Sequence, residues 1–365
     1  MSAELSTKLN RVRALLATTK SDGALLGRQS NFSWLACGGE AHIPLTTDRT
    51  FGQLLVTADD FYVLANTIEL PRLQAEPLKG LGAKSLTHDW HDPRGATAAL
   101  KTVVDPRKVI SDTGDWGTRC KPELFPPLRY SLLEPELRRY RSLGKDAEKA
   151  MDLTCKEILP ETTEFSIAGY LAEACWHLNL TPTVLLIATD ERIDRFRHPL
   201  PTTKKLRKRA MLVLCARRAG LIVALTRLVN FGPPSREVLR RHRAVCEVDT
   251  AFHINTRIGV PVSEVFAAGV AAYAKQGFPE EWHLHHQGGP CGYEGRDYLG
   301  APGVVGTVLE NQPYAWNPSI TGTKSEDTLV ATAKGPQVVT ASPDWPMVKI
   351  EHESGTWTRP DILVR

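Results

Sequence analysis

The sequence predicts an α+β protein in two parts: a smaller α/β domain over residues 1–135 and a larger α+β domain over residues 136–365. Three observations predict it. Helix and strand patterns alternate through the first third of the chain. A Pro-rich, irregular stretch, DPRKVISDTGDWGTRCKPELFPPLRY, then breaks the pattern, and a fresh helical region begins after it. Beyond that break, helices accompany a strongly paired antiparallel sheet without regular βαβ alternation. Length agrees, because 365 residues with 42% apolar content are long for one hydrophobic core.

The elements follow in order. Leu5, Leu9, Val12 and Leu16 recur at helical spacing, and GALLG and NFSWLACGG read as short buried strands bounded by glycine. FGQLLVTADDFYVLAN reads as a hairpin with its polar turn at residues 57–60. After the break, Ala147, Met151, Cys155 and Ile158 stack on one helical face. Ile167, Leu171, Ala174 and Leu178 form the next stripe, with Thr163 as its N-cap. TVLLIAT, AMLVLCARR and GLIVALTRLV read as strands, the last two closing a hairpin near residues 217–220. Helices are expected at about residues 235–254 and 263–274. The end returns to strands in GTVLENQPYAW and TKSEDTLVAT.

Composition excludes several classes. The net charge of +4, from 45 basic and 41 acidic residues spread along the chain, makes nucleic acid an unexpected partner. No apolar run approaches the roughly 18–20 residues of a bilayer span, and the N-terminus is amphipathic without a signal peptide's apolar centre, so no membrane partner and a cytoplasmic location are expected. The seven scattered cysteines fit reduced thiols better than disulfides or a zinc knuckle.

Five features occur in an order that resembles a known family: NFSWLACGG, the helix start ELRRYRSLGKDAEKAM, His198 ahead of the hairpin, the His/Gly-rich HHQGGPCGYEGRDY, and Glu310 and Glu326 in VLENQP and KSEDT. Together they are similar to the creatinase, prolidase and aminopeptidase P superfamily, whose catalytic domain is the pita-bread fold. The resemblance implies a pita-bread domain preceded by a creatinase-type α/β domain, and a homodimer. The family's metallopeptidases hold two dications through two Asp, one His and two Glu. At the matching positions this chain carries Cys215, Ala224 and Pro290, leaving only Glu310 and Glu326. Two carboxylates are too few donors for a catalytic dication.

The resemblance therefore implies a metal-independent, creatinase-like enzyme with no cofactor. It would hydrolyse a C–N bond of a small nitrogenous, carboxylated substrate, and lyase, cyclase or isomerase chemistry suits the same parts. His198 matches the creatinase-type histidine, and imidazole both takes and returns a proton at neutral pH. Glu310 and Glu326 would orient the substrate nitrogen, with Lys324 as a competing internal partner. Arg192, Arg195 and Arg296 are candidate carboxylate binders, and His285, His286, Tyr293, Trp316 and Cys215 are candidate pocket residues. Cys215 is also the kind of small residue that fills the space of a lost acid. Two alternatives stand beside this: a metal-dependent Xaa-Pro aminopeptidase or prolidase with an atypical ligand set, and a non-catalytic pita-bread binding module.

Overall fold

The computed structural model describes residues 2–365, which divide into two compact units. The first comprises residues up to Glu136 together with Ala219–Leu221. Its helix α1 (Ala3–Thr19) is capped by Ser2, whose hydroxyl accepts from the Leu5 amide, and buries Leu5, Leu9, Val12 and Leu16. A six-stranded sheet holds β1 (Gly23–Arg28), β2 (Arg49–Thr57), β3 (Phe61–Asn66), β4 (Lys84–His88), β5 (Val109–Ser111) and β6 (Arg119–Cys120) in the order β4-β3-β2-β1-β5-β6. Leu25, Leu55, Leu64, Leu86, Leu100 and Val109 form its core. The β2–β3 hairpin turns where the polar residues 57–60 place it, closed by the Thr57 amide donating to the Asp60 carbonyl.

One expected strand is a helix. The first residues of NFSWLACGG lie in α2 (Gln29–Leu35), followed in this unit by α3 (Leu70–Ala75) and α4 (Gly95–Lys101). Every residue of α2 is buried, so no polar face marks the 3.6-residue period, and a short apolar run of this kind reads equally as a strand.

The second unit comprises Leu137–Arg218 and Ile222–Arg365. A long helix, α5 (Glu134–Glu157), leads into it, followed by α6 (Glu164–His177), whose N-cap Thr163 accepts from the Ser166 amide. Strands β7 (Thr181–Thr189), β8 (Arg209–Arg218) and β9 (Leu221–Asn230) form most of one sheet, with the short helix α7 (Glu191–Arg195) after β7. Ala219 and Gly220 both take positive φ, 53° and 75°, as a tight two-residue hairpin turn requires. Helices α8 (Arg236–Asn255) and α9 (Val262–Lys275) pack Val245, Val248, Phe252, Val265 and Tyr273 against a second sheet.

That second sheet comprises β10 (Gly288–Pro290) and β11 (Gln312–Trp316), with β12 (Ser319–Ile320) and β13 (Thr323–Lys324) forming a separate ribbon after them. It continues through β14 (Asp327–Thr332) and β15 (Gly335–Val338) in the order β10-β11-β14-β15. A ribbon of β16 (Met347–His352) and β17 (Gly355–Pro360) follows, and β18 (Leu363–Val364) returns beside β9. No helix of the described residues is long and apolar enough to cross a membrane.

Candidate active site

Local geometry positions the candidate residues. His198 follows α7 in a segment fastened to β7, where the Ile187 amide donates to the Pro199 carbonyl. His285 and His286 stand between a 3₁₀ turn at Glu281–Leu284 and β10. Gly288, at φ 90°, lets this strand approach β11, since a Cβ there would lie 2.1 Å from the Ala315 carbonyl oxygen. The ribbon β12–β13 sets Ser319 directly across from Lys324.

Three imidazoles meet here. The Nε2 atoms of His198 and His285 are 3.1 Å apart. The His286 ring centroid lies 5.4 Å from that of His198 and 4.8 Å from that of His285. His285 is buried, its Nδ1 3.0 Å from the Ser319 hydroxyl, and Ser319 is in turn held by Tyr273, whose hydroxyl accepts from the Ser319 amide and donates to its carbonyl. Burial, and then the Lys324 charge, lowers the pKa of His198 and drives that of His285 far down; burial and Arg296 bring His286 to about 4. All three imidazoles are thus neutral at physiological pH. His283 stays outside this convergence, exposed 3.8 Å from Glu280. A cavity of about 390 Å³ is lined by His285, His286, Trp282, Phe266 and Leu299. A larger hollow of about 1020 Å³ lies in the first unit, lined by residues that include Arg13, Lys20, Asp59 and Asp105.

The position matching the family's metals is filled differently. Cys215 packs with Ala224, Cys291 and Ala315 in an apolar cluster, and Pro290 is buried in β10. Burial, and then the Glu326 charge, pushes the Cys215 thiol up to about 11, so it stays a packing group. Glu326, 2% exposed, receives Lys324 at 2.8 Å, Arg296 at 3.2 Å and the Thr226 hydroxyl at 2.6 Å. Burial alone would raise its pKa; the Lys324 and Arg296 charges outweigh it and lower the pKa, so Glu326 is a carboxylate. An ammonium and a guanidinium occupy the ground that dications would need, so this position does not fit a dinuclear centre.

Several candidate residues lie away from the roles their sequence positions suggest. Glu310 is in an exposed turn before β11, not on a strand, while Glu326 is buried, so the two do not share one desolvated pocket. Arg192 is committed to Glu164 and to the Leu200 carbonyl, because the buried Glu164 needs a cation; it is a structural group and not a carboxylate binder. Arg195 is exposed, over the Phe196 ring at 5.3 Å. Trp316 is core, fully buried and stacked 4.6 Å from Phe252, with its indole N–H donating to Thr256. Tyr293 is buried at 2% exposure. Ser319, Tyr273 and Thr226 support the site and carry no signal in the sequence, since only tertiary folding brings them to His285 and Glu326.

No family model matches the sequence. The structure is similar to dipeptidase PepE from Mycobacterium ulcerans, with a TM-score of 0.76 at 17% identity over 99% of this chain and 98% of that one. It is also similar to an Xaa-Pro dipeptidase from Bacillus anthracis, with a TM-score of 0.72 at 16% identity over 99% and 100%. The N-terminal domain of a FACT complex subunit from Cicer arietinum shares the fold too, with a TM-score of 0.70 at 12% identity over 93% and 97%. In sequence, an uncharacterized peptidase of Staphylococcus haemolyticus is 20% identical over 357 residues, 92% of this chain and 99% of that protein. An uncharacterized Staphylococcus aureus peptidase matches over 227 residues, 63% of its length.

These findings overturn the metal-independent, creatinase-like reading. The Mycobacterium ulcerans, Bacillus anthracis and Staphylococcus haemolyticus chains, matched over nearly their full length, are described as dipeptidases and a peptidase, and the alternative of a metal-dependent peptidase with an atypical ligand set accounts for them better. Fold likeness alone leaves chemistry open, as the FACT domain illustrates, so the site's own residues decide it.

Proposed function

We propose, on the premise that this chain carries the pita-bread fold of the creatinase, prolidase and aminopeptidase P superfamily, that it is a metal-dependent hydrolase of small peptides with a free C-terminal carboxylate, of Xaa-Pro dipeptidase type. One observation carries the reading: two cations, Lys324 and Arg296, stand close enough to His285 and His286 to depress their pKa values. Lys324 and Arg296 bring two positive charges against the single charge of Glu326, and the Arg296 Nε is buried without a hydrogen-bond partner. A guanidinium donor in that state favours a carboxylate ligand. The cavity, about 390 Å³, lies at the small end of ligand pockets and suits a dipeptide better than a long chain.

The test is hydrolysis of Xaa-Pro dipeptides and of their C-terminal amides, with and without chelator. The expected result is cleavage that a chelator abolishes and added metal restores, with amidation lowering kcat/KM roughly ten- to hundred-fold through loss of a charge-assisted hydrogen bond. Arg296→Met should erase most of that preference by weakening the carboxylate substrate alone. Cleavage indifferent to chelator, or equal rates on acid and amide, contradicts the reading.

A further inference from the structure

We propose that the metal of this protein has left the carboxylate position of its fold and sits at a new one, as a single zinc-class ion held by His198, His285 and His286. The inference rests on the metal-dependent reading above and adds to it the ligand set, the class of ion and the stoichiometry.

Geometry comes first. Nitrogens bound at about 2.0–2.1 Å to one tetrahedral zinc lie roughly 3.4 Å from each other. The His198 and His285 Nε2 atoms are 3.1 Å apart, already at that spacing. One ring nitrogen from each of the three residues lies within 4.8 Å of the others, the one such convergence of His, Cys, Asp and Glu among the described residues. Closing the widest pair takes at most about 1.5 Å, within reach of small rotations of two exposed rings.

The surroundings of His285 add an independent argument. A ligating histidine characteristically donates its other ring N–H to a fixed acceptor, which sets the tautomer and leaves the far nitrogen's lone pair free. The Ser319 hydroxyl, 3.0 Å from Nδ1, is placed to be that acceptor when Nε2 binds the ion, and Tyr273 clamps Ser319 through its amide and its carbonyl. His285 Nε2 is thereby aimed at the other two rings.

The trio also differs from the buried histidines elsewhere in the unit. His253 Nε2 lies 3.3 Å from Asp249, and His242 Nε2 lies 3.7 Å from Asp361. None of the trio makes an ion pair with an acid. Three imidazoles facing one point, with no carboxylate paired to any of them, form a ligand set that a metal ion can share. An all-imidazole set selects borderline ions such as zinc over the hard, oxygen-seeking ions that a carboxylate cage favours.

The old position shows why the ion moved. Lys324 stands opposite Ser319 on one ribbon and neutralises Glu326, so the same turn of chain closes the inherited site and orients the new ligand. Three protein ligands leave a fourth position open, which a catalytic zinc uses to lower the pKa of bound water. With Lys324 and Arg296 nearby, that position favours an anion, in keeping with a carboxylate-bearing substrate.

The test uses the full-length protein, loaded with zinc, dialysed against metal-free buffer and analysed by inductively coupled plasma mass spectrometry. Wild type should retain about one zinc per chain. Its cobalt form should show the visible absorption of a tetrahedral site. His285→Ala and the exposed His286→Ala should lose both signals while keeping the wild-type circular dichroism. Ser319→Ala should weaken zinc roughly ten- to hundred-fold. Glu326→Gln should keep its zinc.

Zinc retained by the His285→Ala/His286→Ala double variant, or lost from folded Glu326→Gln, overturns the proposal, as does a wild-type protein that binds none. In those cases chelator-sensitive dipeptide cleavage would leave the metal-dependent reading standing with its ligands elsewhere. Chelator-insensitive cleavage would remove both.

Discussion

Two histidine-bearing regions of the larger unit use the same side chain under opposite electrostatic conditions. Under α8, His253 belongs to a closed lattice. Arg359 reaches Asp249 at 2.7 Å and Asp327 at 2.8 Å, Arg227 reaches Asp327 at 3.0 Å, and every member is at most 1% exposed. Two carboxylates face two guanidiniums, so the buried charges balance. At the cavity, His198, His285 and His286 face one another with no acid paired to any of them, and two of the three are exposed. The difference teaches that burial alone does not mark a functional histidine. What marks it is convergence, three imidazoles meeting at one point with no acid paired to them.

The largest expected effect breaks the closed lattice. Arg359→Ala strands the Asp249 and Asp327 carboxylates in the interior and should cost about 3–5 kcal/mol in denaturant unfolding. A loss below about 1 kcal/mol would mean that the lattice is not the balanced unit described.

Acid is the next lever. Burial pushes Asp249 up, but Arg359, and after it His253 and Ser325, outweigh burial and hold the carboxyl at about 2, below its ordinary 3.8. A carboxyl lowered by folding contributes stability that is complete above its unfolded pKa and fades as pH falls through the folded one. The contribution, about 2 kcal/mol, should therefore be full at pH 5 and mostly gone by pH 2. Urea midpoints of wild type and Asp249→Asn over that range measure it, and the variant should show the shallower fall.

The smallest effect belongs to the open cluster. His286→Ala should change stability by less than about 0.5 kcal/mol in metal-free buffer, because an exposed ring supports little packing. Its cost should appear only when zinc is present, as loss of the stabilisation that a bound ion gives. A large loss without metal would make His286 a structural residue.

The contrast also explains what was legible beforehand. Helix α6 could be read because its signals are local: Thr163 at the cap and an apolar stripe with a plain period. The wholly buried α2 shows no such period and reads as a strand. The lost metal ligands were visible as Cys215, Ala224 and Pro290, and Lys324 beside Glu326 suggested the internal pair that the structure realises. His198, His285 and His286 were each placed in the site, but not their meeting at one point, because His198 and His285 are 87 residues apart and no spacing rule relates them. Arg192 fails as a pocket residue for the same reason, since its partner Glu164 lies 28 residues earlier.

Crystals of the zinc-loaded protein, measured on both sides of the zinc absorption edge, test the relocated centre most directly. The account predicts one anomalous peak bounded by the rings of His198, His285 and His286, with Lys324 still on Glu326. Paired peaks beside Glu326, with the lysine displaced, would contradict it.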